Sequence, residues 1–334
     1  MSDATRLKVA PNEALDEVLK LIRNELQAID LLLNQEVASL LPEVADIAQH
    51  VLLAGGKRLR PTALALSALS VGKDYPFKQV VHCSAAMELL HTATLIHDDV
   101  IDETSSRRGK PTANKLFGNS ASVLSGDALL AKAMLLVIDG GDRNLMNVIT
   151  NAVIAMSEGA VQEIMHRGSV NLSEEHYFEV VKRKTASFVS ACCCAGALIA
   201  GADEATAECL SSYGFHVGIA FQVVDDLLDY LGDPSKTGKS IGTDFIEGNA
   251  TLPLIYLMKN GHSDKAKRLF SGRERPEALT ELALLIQTSG SADYSMDIAA
   301  QHIITATNKL KMLPESPACE GLKSIAQFTI SREI

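Results

Sequence analysis

Two short acidic motifs in this sequence share one spacing, and each follows an apolar run. Each motif has two adjacent aspartates and a third about one helical turn later: Asp98, Asp99 and Asp102, then Asp225, Asp226 and Asp229. In a helix, the first and third aspartates of a motif share a face, while the second lies about 100° round the axis. One such motif is explained equally well by solvation at a helix end. Two of them indicate a shared function.

Six carboxylates would line one cavity if the two predicted helices face each other. Like charges brought together on apolar helices are unfavourable unless cations or water compensate them. Mg²⁺ is the cation that fits, because it is hard, prefers oxygen ligands and binds one or two carboxylates together with substrate phosphates. The motifs therefore predict a magnesium-dependent site for a phosphorylated substrate.

Basic residues bracket both acidic motifs. Any one of them is most simply an ordinary surface charge, but together they lie mostly in predicted loops and helix ends, where phosphate is commonly bound. They are Lys57 and Arg60 after a glycine pair, Arg107 and Arg108 after the first motif, Lys184 beside Thr185, and Lys239 after the second motif. These cations strengthen the prediction of a phosphate site.

The segment Thr237-Gly-Lys-Ser240 resembles the end of a nucleotide-binding P-loop. That loop requires a glycine where this chain has Asp233, and it follows a strand, whereas this segment follows a predicted helix. The P-loop interpretation is therefore excluded.

Composition favours a helical protein. The chain has 334 residues, of which 47% are hydrophobic and only 4% aromatic, so most apolar side chains are aliphatic and suited to helix packing. The net charge of −10 comes without a basic face, which argues against nucleic-acid binding.

Helical periodicity recurs along the chain, and no sustained β-alternation competes with it. We expect the chain to open with an amphipathic helix after Pro11, with an apolar pattern that runs from Leu15 to Leu33. No linker or clean repeat divides the chain, so we predict one all-α domain over residues 1–334. The other long helices are predicted at about 78–103, 120–139, 143–167, 173–201 and 204–231.

The cysteines and the N-terminal segment give no sign of secretion. The run Cys192-Cys193-Cys194 lacks CxxC spacing and is interpreted as small apolar side chains in a tightly packed helix. There is no apolar signal core and no uncharged apolar stretch of membrane-spanning length. A cytoplasmic location and no membrane span are therefore expected.

Several stretches together resemble trans-type (head-to-tail) polyprenyl diphosphate synthases, in the family's order and spacing from about residue 50 to 260. These stretches are GGKRLRP, ELLHTATLIHDDVID followed by RRG, GNSASVLSGD, KRKTA, FQVVDDLLDY and GKSIGTDFIEGNATLPLIY. The resemblance implies a bundle of long helices around a deep central cavity, usually paired as a homodimer. It is closest to the long-chain members.

The resemblance implies an Mg²⁺-dependent prenyltransferase that joins isopentenyl diphosphate to an allylic diphosphate. About three Mg²⁺ ions would bind through Asp98, Asp102, Asp225 and Asp229, and the catalytic positions would also include Asp99, Asp226 and Lys184. The matched positions for the allylic diphosphate are Arg107, Lys184, Thr185, Gln222 and Lys239. Those for isopentenyl diphosphate are Gly56, Lys57, Arg60, His91 and Arg108, although His91 alone would more simply be a core histidine.

One residue departs from the family pattern. Many relatives have a lysine where this chain has Asn249, and that lysine helps to hold the allylic diphosphate. We therefore expect weaker allylic binding before any loss of activity.

Small side chains upstream of the first motif indicate a long product. Ala93 and Thr94 stand where short-chain members tend to have aromatic residues, and Leu90 and Met87 come before them. Thr94 and Met87 are about 10 Å apart at 1.5 Å per residue, room for about two more isoprene units. A product of about C30–C50, as for quinone side chains, is expected. Because it is insoluble in water, release at a membrane surface or to an acceptor is also expected.

Alternatives remain open at this point. A geranylgeranyl or farnesyl diphosphate synthase would have the same motifs, and a catalytic subunit could require a small partner. Terpene cyclases and head-to-head enzymes would not need the isopentenyl diphosphate pocket. A regulatory subunit would usually have damaged aspartate motifs, and a purely structural helical protein would not bind Mg²⁺ and diphosphate together.

Overall fold

A computed structural model describes residues 11–55, 58–139, 142–232 and 241–332. The helices in these ranges are α1 (Pro11–Leu21), α2 (Arg23–Ala38), α3 (Pro42–Leu52), α4 (Leu59–Val71), α5 (Phe77–Ile101), α6 (Ala113–Phe117), α7 (Asn119–Ile138), α8 (Arg143–Met165), α9 (Glu174–Val181), α10 (Ser187–Ile199), α11 (Glu204–Leu231), α12 (Thr243–Glu247), α13 (Leu252–Lys259), α14 (Ser263–Ser271), α15 (Ala278–Thr288), α16 (Ser291–Lys309) and α17 (Pro317–Ile330). The predicted all-α fold is confirmed. The predicted site residues Gly56, Lys57 and Lys239 lie outside the described residues.

The prediction of one helix at the start of the chain is wrong in one respect. It is broken at Ile22, which has φ −121° and ψ 28° and separates α1 from α2. The helix α1 packs against α17, whereas α2 packs against α5. The break therefore lies where the chain passes from one packing partner to the other.

A two-residue hairpin follows the first acidic motif. Strand β1 (Ser106–Arg107) pairs antiparallel with β2 (Lys110–Pro111). Arg108 and Gly109 form the turn with φ of 52° and 74°, the backbone sign that a tight hairpin turn requires at both positions. The hairpin fixes the two arginines beside the end of α5.

Close packing around α10 organises the centre of the molecule. This helix contacts α4, α5, α8 and α11. A Cβ added at Gly196 would lie 2.2 Å from the Leu64 carbonyl oxygen of α4, so only glycine permits this approach. Cys192 and Cys193 are buried free thiols in the same helix. The interpretation of the cysteine run as small packing residues is confirmed.

Both acidic motifs lie at the C-terminal ends of their helices. Asp102 follows the last residue of α5, and Asp229 lies in the last turn of α11. The carboxyl end of a helix carries the negative end of its dipole, so carboxylates there are disfavoured. This placement increases the need for cations at both motifs.

One described helix, α7, is long and apolar enough to cross a membrane by length and composition alone. It packs along α5 and buries Leu129, Ala133 and Leu136 against the core. A core helix passes the same test of length and composition, so this finding is weak evidence for a membrane span.

A histidine pair joins α11 to α16. Nδ1 of His216 lies 2.8 Å from Nδ1 of His302, so one ring donates a hydrogen bond to the other. Burial, His216 and Lys182 lower the pKa of His302 to about 4, and burial and Lys309 lower the pKa of His216. Both rings are therefore neutral near pH 7.

Acid should weaken the fold through this pair. The pKa of His302 is lower in the folded chain than in the unfolded chain, so folding loses stability as the pH falls from about 6.5 toward 4. Between pH 7 and 5 the loss attributable to His302 should be about 1 kcal/mol, after allowance for solvent screening. Urea denaturation at both pH values should show a smaller acid loss for His302→Gln than for the native chain. His262→Gln is the control, and identical losses in the native and His302→Gln chains would refute this role.

Candidate active site

The first acidic motif places its three aspartates in different surroundings. Asp99 is 1% exposed and accepts hydrogen bonds from Nε of Arg107 at 2.9 Å and, as an ion pair, from Nη2 at 2.8 Å. Its backbone carbonyl accepts from Nδ2 of Asn114 at 3.0 Å. Asp99 therefore holds the β1–β2 hairpin to α5. Contact of Arg107 with the allylic diphosphate stays a prediction.

Asp102 is paired with an arginine that the sequence did not indicate. Nη2 of Arg167 donates to Oδ1 of Asp102 and lies 3.8 Å from Oε2 of Glu247. Arg167 follows the end of α8, and Glu247 ends α12. This contact joins the first motif to the segment that follows the second motif.

Asp226 is the buried centre of a hydrogen-bond network in the second motif. Its Oδ2 accepts from the Tyr177 hydroxyl at 2.6 Å, and its Oδ1 accepts from Nε2 of Gln222 at 2.7 Å. The Gln222 side-chain oxygen accepts from Oγ1 of Thr185 at 2.8 Å. The predicted residues Thr185, Gln222 and Asp226 are thus brought together as one network.

The other two aspartates of the second motif contact separate segments. Asp229 accepts hydrogen bonds from the backbone N–H groups of Thr243 and Asp244 at 3.1 and 3.0 Å, which positions the start of α12. Asp225 accepts from Nη1 of Arg332 at 3.2 Å. The Arg332 guanidinium also lies over the Phe221 ring, 4.4 Å from its centroid. The carboxyl-terminal segment therefore returns to the second motif.

Lys184 lies between the two motifs. It belongs to the π-helical turn Lys182–Ala186, which joins α9 to α10, and its ammonium group is paired with Glu163 of α8. Burial would lower the pKa of Lys184, but Glu163, Asp98 and Asp102 raise it above its usual range. The lysine therefore stays charged. A Cβ added at Gly159 would lie 2.7 Å from the Lys184 nitrogen, so glycine allows α8 to approach this turn closely.

The carboxylates at the centre of the site are crowded. Burial raises the pKa of Asp98, with Asp102 and Glu163 adding to the shift and Lys184 opposing it. Burial also raises the pKa values of Asp226 and Asp244, and burial and Asp102 raise that of Glu247 to about 7. Their ionised forms are disfavoured, and a bound cation would relieve this repulsion.

These residues fit Mg²⁺, but they do not form a ready-made cage. Among the described residues, no three His, Cys, Asp or Glu side chains are close enough to hold one ion together. Mg²⁺ commonly takes one or two carboxylates and completes its shell with water and substrate phosphates. The separated carboxylates of the two motifs suit that kind of binding.

A second group of predicted residues forms a positively charged cluster. Burial lowers the pKa of the His91 ring of α5 well below its usual value, and the nearby charges of Arg60, Arg108, Arg107 and Arg58 lower it further. Arg60 also lies over the Phe188 ring, at 5.6 Å from its centroid. His91 is therefore a neutral group among cations. Arg60, His91 and Arg108 are brought together, and their contact with isopentenyl diphosphate stays a prediction.

The predicted chain-length residues lie along α5. Ala93 is 1% exposed, Leu90 and Met87 are fully buried, and Thr94 is half-buried with its hydroxyl donating to the His91 carbonyl. They extend from the first motif toward the start of the helix. Their effect on product length stays a prediction.

Several residues of the site were missed by sequence reasoning. For Glu163, Arg167, Tyr177 and Arg332 the sequence offers no motif, since each reaches the site from a distant segment. Asp244 and Glu247 had a signal, because both lie inside the quoted stretch GTDFIEG after the second motif. Their acidic side chains, so close to the second motif, are the sequence signal for a place in the site.

Comparisons with known proteins agree with this geometry. The family model for polyprenyl synthetase matches residues 41–285. Octaprenyl diphosphate synthase of Haemophilus influenzae is 34% identical over 322 residues, which cover 96% of this chain and 97% of the relative. A short chain isoprenyl diphosphate synthase of Methanothermobacter thermautotrophicus is 32% identical over 324 residues, covering 95% and 99% of the two chains.

A solved structure is similar over nearly the whole chain. It is the crystal structure of polyprenyl synthase from Caulobacter crescentus, complexed with calcium and isoprenyl diphosphate. The TM-score is 0.91 at 35% sequence identity, with 95% of this chain and 98% of the other covered.

Proposed function

This chain belongs to the polyprenyl synthetase family and is a prenyltransferase, and we propose that it makes a long-chain all-trans polyprenyl diphosphate. It would join isopentenyl diphosphate head-to-tail to geranyl, farnesyl or geranylgeranyl diphosphate. The observation that carries this proposal is the placement of Lys184 between two acidic motifs, with a separate arginine cluster around His91. Two diphosphates would thus have distinct anion sites.

Divalent metal binding is proposed at the two acidic motifs. Asp98 and Asp102 of the first motif and Asp225 and Asp229 of the second would hold about three Mg²⁺ ions, with Asp99 and Asp226 holding the motifs in place. When bound, Mg²⁺ supplies positive charge that stabilises the departing diphosphate. Crowding of the carboxylates supports this assignment, because Asp98 and Asp226 are unfavourable as anions without a cation.

The allylic diphosphate would lie between the motifs. Lys184 keeps its charge there, and the Thr185 hydroxyl and Gln222 amide are positioned by their bonds to one another and to Asp226. Fixed cationic and polar groups of this kind stabilise charge on the leaving oxygen as the allylic C–O bond breaks. Arg107 and Lys239 are proposed to contact the same group.

Isopentenyl diphosphate would bind at the arginine cluster. Arg60, Arg108 and the neutral His91 suit an anion, with Gly56 and Lys57 proposed to complete the pocket. The double bond of this substrate would attack the allylic cation, and loss of a proton would leave a chain five carbons longer. The departing diphosphate is proposed to take that proton. Exclusion of water protects the cation from quenching.

A product of about C30–C50 is proposed from the small side chain of Ala93 and the distance along α5 to Met87. Quinone side chains are the proposed use. Buried Leu90 and Met87 would limit further growth of the tail. The product is insoluble in water, so release at a membrane surface is proposed without a membrane span.

A homodimer is proposed for the assembled protein, with residues 1–334 forming one domain in each subunit. Consecutive helices α7 and α8 expose large apolar side chains, which would be covered by a second copy. The exposed residues are Val123, Leu124, Leu135 and Ile138 of α7, and Ile154, Val161, Ile164 and Met165 of α8.

A product assay on the purified chain tests this function. The assay contains Mg²⁺, labelled isopentenyl diphosphate and geranyl, farnesyl or geranylgeranyl diphosphate in turn, and chain lengths are measured after dephosphorylation. A ladder that ends above C20 is expected. A sole product of C15 or C20 would overturn the chain-length argument and leave the chemistry intact. No elongation with any primer would indicate a required partner subunit, or a cyclase if cyclic hydrocarbons appear.

A further inference from the structure

We propose that Arg167 binds the allylic diphosphate and supplies the positive charge that is missing at Asn249. The inference rests on the proposed function, since it assigns a residue to the same substrate. Arg167 comes from the turn after α8, outside every stretch that carries the resemblance to the family.

A backbone hydrogen bond holds the segment that contains Arg167 next to the segment that contains Asn249. The Gly168 N–H donates to the Gly248 carbonyl oxygen at 2.8 Å. Gly248 has φ +86°, and a Cβ added there would lie 3.1 Å from the Gly168 nitrogen. Each segment is therefore fixed against the other at the residue next to Arg167 and next to Asn249.

Asn249 is placed to face the substrate but carries no charge. It is 8% exposed and lines a cavity together with Lys184, Thr185 and Gln222, the groups proposed for the allylic diphosphate. Its Oδ1 has no hydrogen-bond partner within the described part of the chain. An amide contributes less than a cation to holding a diphosphate.

Arg167 brings a permanent charge to the Glu247 carboxylate, next to Asn249. Its guanidinium contacts Asp102 and lies 3.8 Å from Oε2 of Glu247, the oxygen that accepts from Nδ2 of Asn249 at 3.3 Å. Arg167 and Asn249 thus meet at one carboxylate oxygen. The guanidinium has five N–H donors, so it can contact these carboxylates and still donate to a phosphate oxygen.

The position of Asp102 links this cation to the substrate. Asp102 is a proposed metal ligand of the first motif, and its metal would bind the allylic diphosphate. Because the guanidinium contacts Asp102, it lies close enough to contact an allylic diphosphate that is bound to the metal at Asp102. Lys184, which is paired with Glu163, is proposed to bind the same diphosphate. The diphosphate would then be held by two cations from different segments.

Binding measurements separate this role from a structural one. The probe is farnesyl thiolodiphosphate, an unreactive allylic analogue, with Mg²⁺. For Arg167→Gln, we expect the Kd to rise about 10- to 100-fold, the loss typical of a charge-assisted hydrogen bond. In turnover assays, KM should rise more for the allylic substrate than for isopentenyl diphosphate. Arg167→Lys should bind between the native and Arg167→Gln proteins.

A second substitution provides the decisive test. In the double variant Arg167→Gln/Asn249→Lys, a charge returns on the other side of Glu247, and the Kd should recover to within about threefold of the native value. Arg273→Gln is the matched control, because Arg273 donates to the Ile246 carbonyl of the same segment and, within the described residues, is not paired with Asp102. This control should bind the probe as the native chain does.

Two results would overturn the inference. One is an unchanged Kd in folded Arg167→Gln, and the other is a double variant that folds but does not recover binding. In either case native turnover would leave the proposed function standing. If the native chain neither binds the analogue nor elongates any primer, the proposed function fails and the inference with it.

Discussion

Replacing Asp98 with alanine is expected to lower prenyl transfer about 10³-fold or more while the protein stays folded. Asp98 lies at the end of α5 beside Lys184, Asp102 and Glu163. Without its carboxylate, the first motif would lose a proposed metal ligand, and charge on the departing diphosphate would be stabilised less. Asp225→Ala should have the same effect at the second motif. Turnover of labelled isopentenyl diphosphate under saturating Mg²⁺ measures the loss.

Thermal unfolding distinguishes this loss from misfolding. Burial and neighbouring carboxylates raise the pKa of Asp98, so its ionised form lowers the stability of the folded state above the pKa of the unfolded chain. Metal-free Asp98→Ala should therefore unfold at the same temperature as the native chain or higher. Stabilisation by Mg²⁺ together with diphosphate should be strong in the native chain and lost in the variant.

A surface carboxylate provides the control for Asp98. Asp297 is exposed on α16, and Asp297→Ala should keep native turnover and native stabilisation by the ligands. Native-like activity in either Asp98→Ala or Asp225→Ala would refute the metal assignment at that motif.

Replacing Ala93 with phenylalanine should shorten the product by about two isoprene units or more, while condensation continues. Ala93 is 1% exposed on α5, and the added ring would occupy the space proposed for the growing tail, before Leu90 and Met87 are reached. The chain lengths made from farnesyl diphosphate give the result directly. Overpacking would cost about 1–3 kcal/mol, so thermal unfolding should confirm that the variant is folded.

Two further variants locate the floor of the cavity. Ala93→Ser adds little volume and should leave the product distribution unchanged. Met87→Ala removes the deepest proposed barrier and should lengthen the product. If Ala93→Phe gives native chain lengths, the tail does not pass Ala93 and the floor lies on another element.

Much of the fold could be predicted because helices are local. The spacing of apolar residues marked α5, α7, α8 and α11 to within about two residues. The break at Ile22 could not be predicted in this way. Its apolar pattern continues through the break, which coincides with the change of packing partner from α17 to α5, a contact between segments distant along the chain.

The sequence by itself determined which side chains carry the chemistry. Two DDxxD motifs, the lysine–threonine pair and the arginines near Gly55 and Gly109 follow from residue type and short spacing, which a helix or a tight turn converts directly into shared faces. The family resemblance rests on the same local stretches.

Only the tertiary structure decided how these charges are paired. Asp102 is joined to Arg167, Asp225 to Arg332 and Asp226 to Tyr177, and these partners are 65, 107 and 49 positions apart along the chain. Helical periodicity depends on residues a few positions apart, whereas these ion pairs and hydrogen bonds depend on how distant segments pack in the folded chain. The site of Arg167 beside Asn249 is therefore a property of the packed helices, and no spacing in the sequence could have shown it.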